Sequence, residues 1–147
     1  MSESLPGHDS IQIETVFNAS PEKVWQAWTD PAVILSWFGS DPHGRGISAE
    51  IDNRPGGSFQ ITFVDSDQTE HTCSGIYKNV TEIQKLEFTW TWKSEPGVES
   101  YVTVILNPDG QKTKMIFIHS KLGTNSRHNY LDGWHTTFLK LKQILAQ

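Results

Sequence analysis

The stretch that decides the fold is NYLDGWHTTFLKLKQILA, residues 129–146. Its apolar residues recur at alternating steps of three and four, which places them on one stripe of an α-helix: Leu131, Trp134, Phe138, Leu141 and Leu145. Apart from one short helical region, the chain before it shows the period of β-strands. The stripe needs the concave face of a curved sheet as its partner, so the sequence predicts an α+β fold in which a sheet wraps around this helix.

Composition limits the class of protein. The chain has 147 residues, enough for one domain with a substantial core, and a net charge of −5 without any cluster of Lys and Arg. Nucleic acids and anionic membrane surfaces attract basic proteins, so neither is an expected partner. Residues 1–10 are polar and are predicted to form a flexible segment, not a signal peptide, and the single cysteine, Cys73, suits a reducing compartment. We therefore expect a cytoplasmic protein.

Two capping signals predict a pair of short helices after the first strand. That strand is expected at Ile11 to Phe17, where apolar and polar residues alternate. Ser20-Pro21-Glu22 combines an N-cap, a proline at the first helical position and an acid at the positive end of the helix dipole. Asp30-Pro31 repeats the signal, so a second helix is expected to follow and to end at Trp37-Phe38-Gly39.

Six more strands are predicted before the C-terminal helix, and the last two form a hairpin. With Asp109-Gly110 as its two-residue turn, Leu106 pairs with Thr113 and Tyr101 with Ile118. The outer face of this hairpin is more apolar than a solvated surface requires, which is typical of a protein contact unless the N-terminal segment covers it. We expect a homodimer surface or a partner site there, formed by Tyr101, Ile105, Ile116 and Ile118.

Several short motifs follow one another in an order and at a spacing that are typical of one family. They are Ala19 to Trp25, Thr29-Asp30-Pro31, Ser36 to Gly39, Asp52 to Phe59 with Gly56-Gly57, Gly75-Ile76-Tyr77, Leu86 to Trp90, and Gly133-Trp134. Together they resemble the Hsp90 ATPase activator homologue (AHSA1-like) family of the START-like (SRPBCC) helix-grip superfamily. The resemblance implies a helix-grip (START/Bet v 1-like) domain over residues 11–147, with a seven-stranded antiparallel sheet around the C-terminal helix and two short helices between strands 1 and 2.

The resemblance also implies a use for the interior. Members of the superfamily hold lipids, sterols, polyketides and other apolar molecules between sheet and helix, and a few of its branches are enzymes. We therefore expect a small apolar or aromatic ligand, which enters near the loop from Ser40 to Gly46. The alternative is a protein-interaction module with a chaperone partner of the Hsp90 type, and a third hypothesis is a cyclase-like or hydrolase-like enzyme.

Aromatic rings on the inner faces are the expected lining of that cavity, although each could instead fill a closed core. His119 follows the inward-facing Met115 and Phe117, so it could orient the polar end of a ligand together with Tyr77 and Cys73. A buried histidine with satisfied hydrogen bonds is the alternative. The predicted ligand-binding residues are Trp37, Phe59, Phe63, Cys73, Tyr77, Phe88, Trp90, Trp92, His119, Trp134 and Phe138.

Catalysis and metal binding receive weaker support from the sequence. Cys73 and His119 could both face the interior, but a cysteine in a buried strand is usually inert, and sequence identifies no acidic partner for the histidine. His128 and His135 are seven residues apart, which is too far for a helical metal site. No catalytic residue, metal or cofactor is therefore predicted.

Overall fold

The computed structural model describes residues 9–123 and 129–146 of the chain. Its elements follow the predicted order of one strand, two helices, six strands and one helix. They are β1 (Ile11–Phe17), α1 (Pro21–Thr29), α2 (Pro31–Ile34), β2 (Arg45–Ile51), β3 (Ser58–Val64), β4 (Glu70–Thr81), β5 (Lys85–Trp92), β6 (Glu99–Asp109), β7 (Lys112–Ser120) and α3 (Tyr130–Leu145). No helix within the described ranges has the length and apolarity needed to cross a membrane. His128 and most of the predicted N-terminal segment lie outside these ranges.

All seven strands join in one antiparallel sheet, in the spatial order β1-β7-β6-β5-β4-β3-β2. Alternate residues of a strand share a face except at the irregularities in β2 and β4, and in β7 the buried set is Thr113, Met115, Phe117 and His119. α3 lies on this face, where the ring of Trp134 packs on that of Phe117 with 4.5 Å between centroids. The α+β helix-grip architecture expected from the sequence is therefore confirmed.

α1 and α2 begin at the predicted caps. The side chains of Ser20 and Asp30 each accept a hydrogen bond from a backbone N–H of the first turn, at 3.3 and 2.9 Å. α2 is shorter than predicted, because it ends at Ile34. Beyond it the N–H of Ser36 donates to the carbonyl of Val33, three residues back, which tightens the chain into a turn.

Two buried hydrogen bonds hold the α1 region over the sheet. The hydroxyl of Thr113 on β7 donates to the carbonyl of Ala19 at 2.8 Å, just before α1 begins. The indole N–H of Trp37 donates to the carbonyl of Ala27 at 3.0 Å, which fixes the turn after α2 against α1. Both hydroxyl and indole are thereby satisfied inside an otherwise apolar core.

The β6–β7 hairpin differs from its predicted register by two residues. The turn is Gly110-Gln111, not Asp109-Gly110, so Tyr101 pairs with Ser120 instead of Ile118. The glycine takes φ +63° at the first turn position, a conformation that costs glycine little and other residues more. Because side chains alternate with a period of two, this shift leaves every residue of the hairpin on its predicted face.

The predicted stripe of α3 is correct except at its first residue. Trp134, Phe138 and Leu141 are buried, and Leu145 is half-buried. Leu131, however, is 43% exposed, so its assignment to the buried stripe was wrong. It belongs to the first turn, where the half-buried Tyr130 meets the sheet instead through its ring contact with His119, 4.6 Å between centroids.

Substitution of two glycines by alanine should change stability in opposite directions. At Gly75 in β4 a Cβ atom would lie 1.9 Å from the carbonyl oxygen of Thr89, so the backbone must move, and we expect Gly75→Ala to lower the free energy of unfolding by about 2–3 kcal/mol. At Gly133 the nearest atom would be Cβ of Ser40 at 3.5 Å, an ordinary contact. Gly133→Ala should therefore stabilise the helix by about 0.5–1 kcal/mol. Urea denaturation measures both, and a neutral Gly75→Ala would contradict the close packing of β4 on β5.

Candidate functional site

An open groove of about 420 Å³ lies at the N-terminal end of α3. It is bounded by the first turns of that helix, the turn after α2, and residues from β3 and β5. We call it the α3 groove; its lining is Phe38, Gly39, Ser40, Phe63, Trp90, Trp92, Asn129, Tyr130, Asp132, Gly133, Trp134, Thr136 and Thr137.

A glycine allows the loop after α2 to lie close against β3. Gly39 takes φ +111°, and a Cβ atom there would lie 2.8 Å from the Phe63 ring. At Gly133, where α3 passes Ser40, a Cβ atom would make only an ordinary contact at 3.5 Å. Gly39 is therefore the glycine that this end of the groove requires.

The start of α3 is fixed by a reciprocal cap. Asn129 Oδ1 accepts a hydrogen bond from the backbone N–H of Asp132 at 3.2 Å, and Asn129 Nδ2 donates to Asp132 Oδ2 at 2.9 Å. The carboxylate also lies in the first helical turn, where it interacts favourably with the positive end of the helix dipole. Both side chains line the groove in this arrangement.

The apolar part of the lining consists of aromatic rings that support one another. Trp90 contacts Trp92 and Trp134, with ring centroids 5.2 and 5.3 Å apart and steep interplanar angles of 88° and 62°. Phe38 meets both Phe63 and Trp134 edge-on, at 5.7 and 5.8 Å. Edge-to-face pairs of this kind are favourable, so the rings are held in place by the core behind them.

A side-chain hydrogen bond between described residues crosses the groove. The indole N–H of Trp92 donates to the hydroxyl of Tyr130 at 3.1 Å, which joins the end of β5 to the first residue of α3. The hydroxyl of Thr137 donates to the carbonyl of Gly133. The indole N–H of Trp90 is buried and finds no acceptor among the described residues.

His119 does not reach the groove but lies behind it in the core. Its Nδ1 accepts a hydrogen bond from the indole N–H of Trp134 at 3.0 Å, so in the neutral ring Nε2 carries the proton and donates to Ser100 Oγ at 2.7 Å. The residue is fully buried, and burial lowers the pKa of His119 to about 3. Both ring nitrogens are therefore occupied by the bonds that join α3, β7 and β6.

The structure distributes the predicted ligand-binding residues over three places. Phe63, Trp90, Trp92 and Trp134 line the α3 groove. Phe59, Tyr77 and Phe88 surround, together with Trp90, a small internal void of about 10 Å³, which is large enough for a single water molecule at most. The remaining four lie in the closed core, away from both: Trp37, Cys73, His119 and Phe138.

The buried ionisable groups are poorly suited to nucleophilic chemistry. Cys73 is fully buried, and burial raises the pKa of its thiol far above the usual range, so the reactive thiolate is disfavoured. Burial likewise raises the pKa of Tyr77. Within the described ranges, no group of three or more His, Cys, Asp and Glu side chains is arranged to hold a metal ion.

Sequence reasoning missed several groove residues because they lie outside the inward-facing periodic positions. Phe38 and Ser40 belong to the turn after α2, and Tyr130, Asp132 and Thr136 lie beside the apolar stripe of α3. The N-cap at Asn129 was a signal that could have identified the residues from α3. A helix that begins there places its first-turn residues beside the loop that covers that end of the sheet.

The predicted interface residues lie on the sheet face opposite α3. Tyr101, Ile105, Ile116 and Ile118 are all half-buried, and Ile105 is the direct cross-strand partner of Ile116. Lys121 Nζ lies 5.4 Å from the centre of the Tyr101 ring. The homodimer or partner contact expected at this face stays a prediction.

Comparison with known proteins identifies a family that matches most of the chain. The family model described as Activator of Hsp90 ATPase homolog 1-like protein matches residues 18–146. A search of curated proteins gives no match.

Among solved structures, the AHSA1 protein from Silicibacter pomeroyi is 26% identical, with 93% of this chain and 97% of that one covered and a TM-score of 0.81. A protein from Nitrosomonas europaea is 21% identical over 96% of both chains, with a TM-score of 0.82. The AHSA1-like protein from Aeromonas hydrophila is 20% identical over 93% and 92%, with a TM-score of 0.79. At 20–21% identity, the likeness to the last two proteins shows a shared fold.

The His119 network makes stability depend on pH. Because the folded pKa of about 3 lies below the ordinary value of 6.5, the unfolded chain binds a proton between these limits and the folded chain does not. Stability should therefore fall as pH drops from 6.5 towards 3, with a contribution of up to about 1.4 kcal/mol per pH unit.

His119→Gln, which can keep both hydrogen bonds but does not titrate, should remove this contribution. Urea denaturation at pH 4.5, 5.5 and 7 measures it, and His135→Gln on the exposed side of α3 is the matched control. Equal pH dependence in wild type and His119→Gln would contradict the assignment.

Proposed function

Since the chain belongs to the family of Activator of Hsp90 ATPase homolog 1-like proteins, we propose that it binds a small, largely apolar or aromatic molecule in the α3 groove. The observation that carries this proposal is an opening of about 420 Å³ with aromatic lining beside a core that is otherwise closed. Ligand pockets typically measure roughly 300–1,000 Å³ and combine apolar walls with few polar groups. The single cysteine suits a ligand-binding protein of the cytoplasm.

The lining of the groove favours a ligand with aromatic rings. Trp92 on the sheet side and Tyr130 on the helix side are both half-buried, and the indole N–H of Trp92 donates to the hydroxyl of Tyr130 at 3.1 Å. A ligand ring laid against this pair would remove apolar surface from water, and burial of apolar area contributes about 25 cal/mol per Å².

Binding, not turnover, is the activity that the side chains support. The buried thiol of Cys73 is held in its protonated form, and His119 is engaged through both nitrogens. Neither is free to act as nucleophile or base on a molecule in the groove.

A variant that fills the groove tests this proposal. Thr136 lines the groove, whereas Leu139, three residues further along α3, is 60% exposed and is not part of the lining. Thr136→Phe should lower the affinity for one- and two-ring aromatic molecules at least about tenfold, while Leu139→Phe leaves it unchanged, because a ring inserted at the first position occupies the space of the ligand.

Native mass spectrometry of the purified protein, followed by calorimetric titration with a library of naphthalene and benzene derivatives, measures this effect. Failure of the wild-type protein to bind any member, or equal affinity in wild type and Thr136→Phe, would reject the groove as the site.

The second candidate is an interaction surface on the opposite sheet face, with a second copy of the chain or a chaperone of the Hsp90 type as partner. The observation in its favour is the direct pairing of Ile105 with Ile116, which joins apolar side chains of neighbouring strands on an outer face. If this face forms a homodimer, sedimentation should give a dimer for the wild type and a monomer for Ile116→Lys combined with Ile118→Lys. A monomer in both cases rejects the homodimer.

A further inference from the structure

Asp132 gives the α3 groove its charge. It is the only charged side chain among the described lining residues, which include no Glu, Lys, Arg or His. One carboxylate oxygen accepts a hydrogen bond from Asn129 at 2.9 Å, and the described residues make no side-chain bond to the other. The carboxylate is exposed at the groove and so is accessible to a ligand.

Six aromatic residues belong to the lining. They are the half-buried Trp92 and Tyr130 and the buried Phe38, Phe63, Trp90 and Trp134. The face of an aromatic ring is electron-rich and attracts a cation within about 6 Å of its centre, with tryptophan the most effective. Several aromatic rings beside one carboxylate form the combination by which proteins recognise ammonium groups.

The same groove is unfavourable for an anion. A helix N-terminus ordinarily attracts negative charge, but here the first turn already holds Asp132, and the Asn129 side chain accepts its N–H. Lys140, two turns further along α3, is not part of the lining, and its ammonium group donates to the carbonyl of Asp41 at 3.0 Å. A carboxylate ligand would therefore meet a like charge without a compensating cation among the described residues, in a protein whose net charge is −5.

We propose that the α3 groove selects organic cations, in which a protonated or quaternary amine is attached to an aromatic or apolar body. The inference rests on the proposed function of the same groove and specifies the charge of its ligand. The apolar body contacts the rings, and the ammonium group lies at the groove mouth beside Asp132.

Three probes of nearly equal shape separate charge from apolar contact. They are 1-naphthylmethylamine, which is protonated at pH 7, the neutral 1-naphthylmethanol and the anionic 1-naphthoate. Calorimetric titration at pH 7 and low salt should rank the amine about 5–10-fold tighter than the alcohol, and the alcohol tighter than the naphthoate.

The Asp132→Asn variant assigns the preference to one side chain. Asparagine can still accept the hydrogen bond from Asn129, so the cap is retained, while the charge is lost. The amine should then bind only as tightly as the alcohol. Asp109→Asn, an equal change of charge at the exposed end of β6, is the matched control and should leave all three affinities unchanged.

The outcomes separate this inference from the function on which it rests. Three results would overturn cation selection and leave apolar binding in place. They are equal affinity for amine and alcohol, a higher affinity for the naphthoate than for the amine, and an amine preference that persists in Asp132→Asn. Failure of all three probes to bind would overturn the inference together with the binding function. An amine preference that is present in the wild type and in Asp109→Asn but lost in Asp132→Asn would establish cation selection by Asp132.

Discussion

The hydrogen-bonded chain from Trp134 through His119 to Ser100 is the constraint on which the rest of the interior depends. It joins α3 to β7 and β6 with bonds of 3.0 and 2.7 Å at a place that water does not reach. A buried imidazole must have both nitrogens satisfied, and this one can be satisfied only if helix and sheet keep their relative position. The position of α3 is thus fixed by directional bonds as well as by apolar packing, which is less specific in direction.

The contrast between a filled core and an open groove follows from that position. From Trp134 onwards the helix packs closely on the sheet. The ring centroids of Phe138 and Phe117 lie 5.0 Å apart, and Leu141 is fully buried. Before Trp134 the first turn borders the groove beside the loop after α2, and its half-buried Tyr130 packs on His119, with 4.6 Å between ring centroids. The aromatic rings at this boundary therefore have both a packed side, which holds them rigid, and a side that borders the groove. Rigid rings lose little conformational entropy when a ligand binds, which makes them suitable for recognition.

The polar groups of the core and those of the groove differ in their hydrogen bonding. His119, Ser100, Thr113 and the indole of Trp37 make bonds within the protein, and these bonds join neighbouring elements of the core. Asp132 is exposed at the groove, and the described residues make a side-chain bond to only one of its carboxylate oxygens. Trp134 belongs to both regions, because it lines the groove and donates its indole N–H to His119.

The sequence alone determined the order of the elements, the facing of the residues in the β6–β7 hairpin and the identity of the central helix, because period and capping are local properties of the chain. It did not reveal the irregularity between Gly46 and Ser48 in β2, where Ile47 is 44% exposed. The hairpin shows the limit of such reasoning: a shift of two residues between Tyr101 and its partner changes the pairing but not the faces, so the facing pattern cannot detect it. The site shows a second limit. Periodicity placed Trp90, Trp92 and Phe138 alike on inward faces, yet only the first two line the groove. What separates them is where the loop after α2 lies relative to α3, which depends on Gly39 against Phe63 and on the bond of Trp134 to His119. These contacts join residues that are far apart in the chain, so only the tertiary structure could decide which aromatic residues lie within the core and which border the groove.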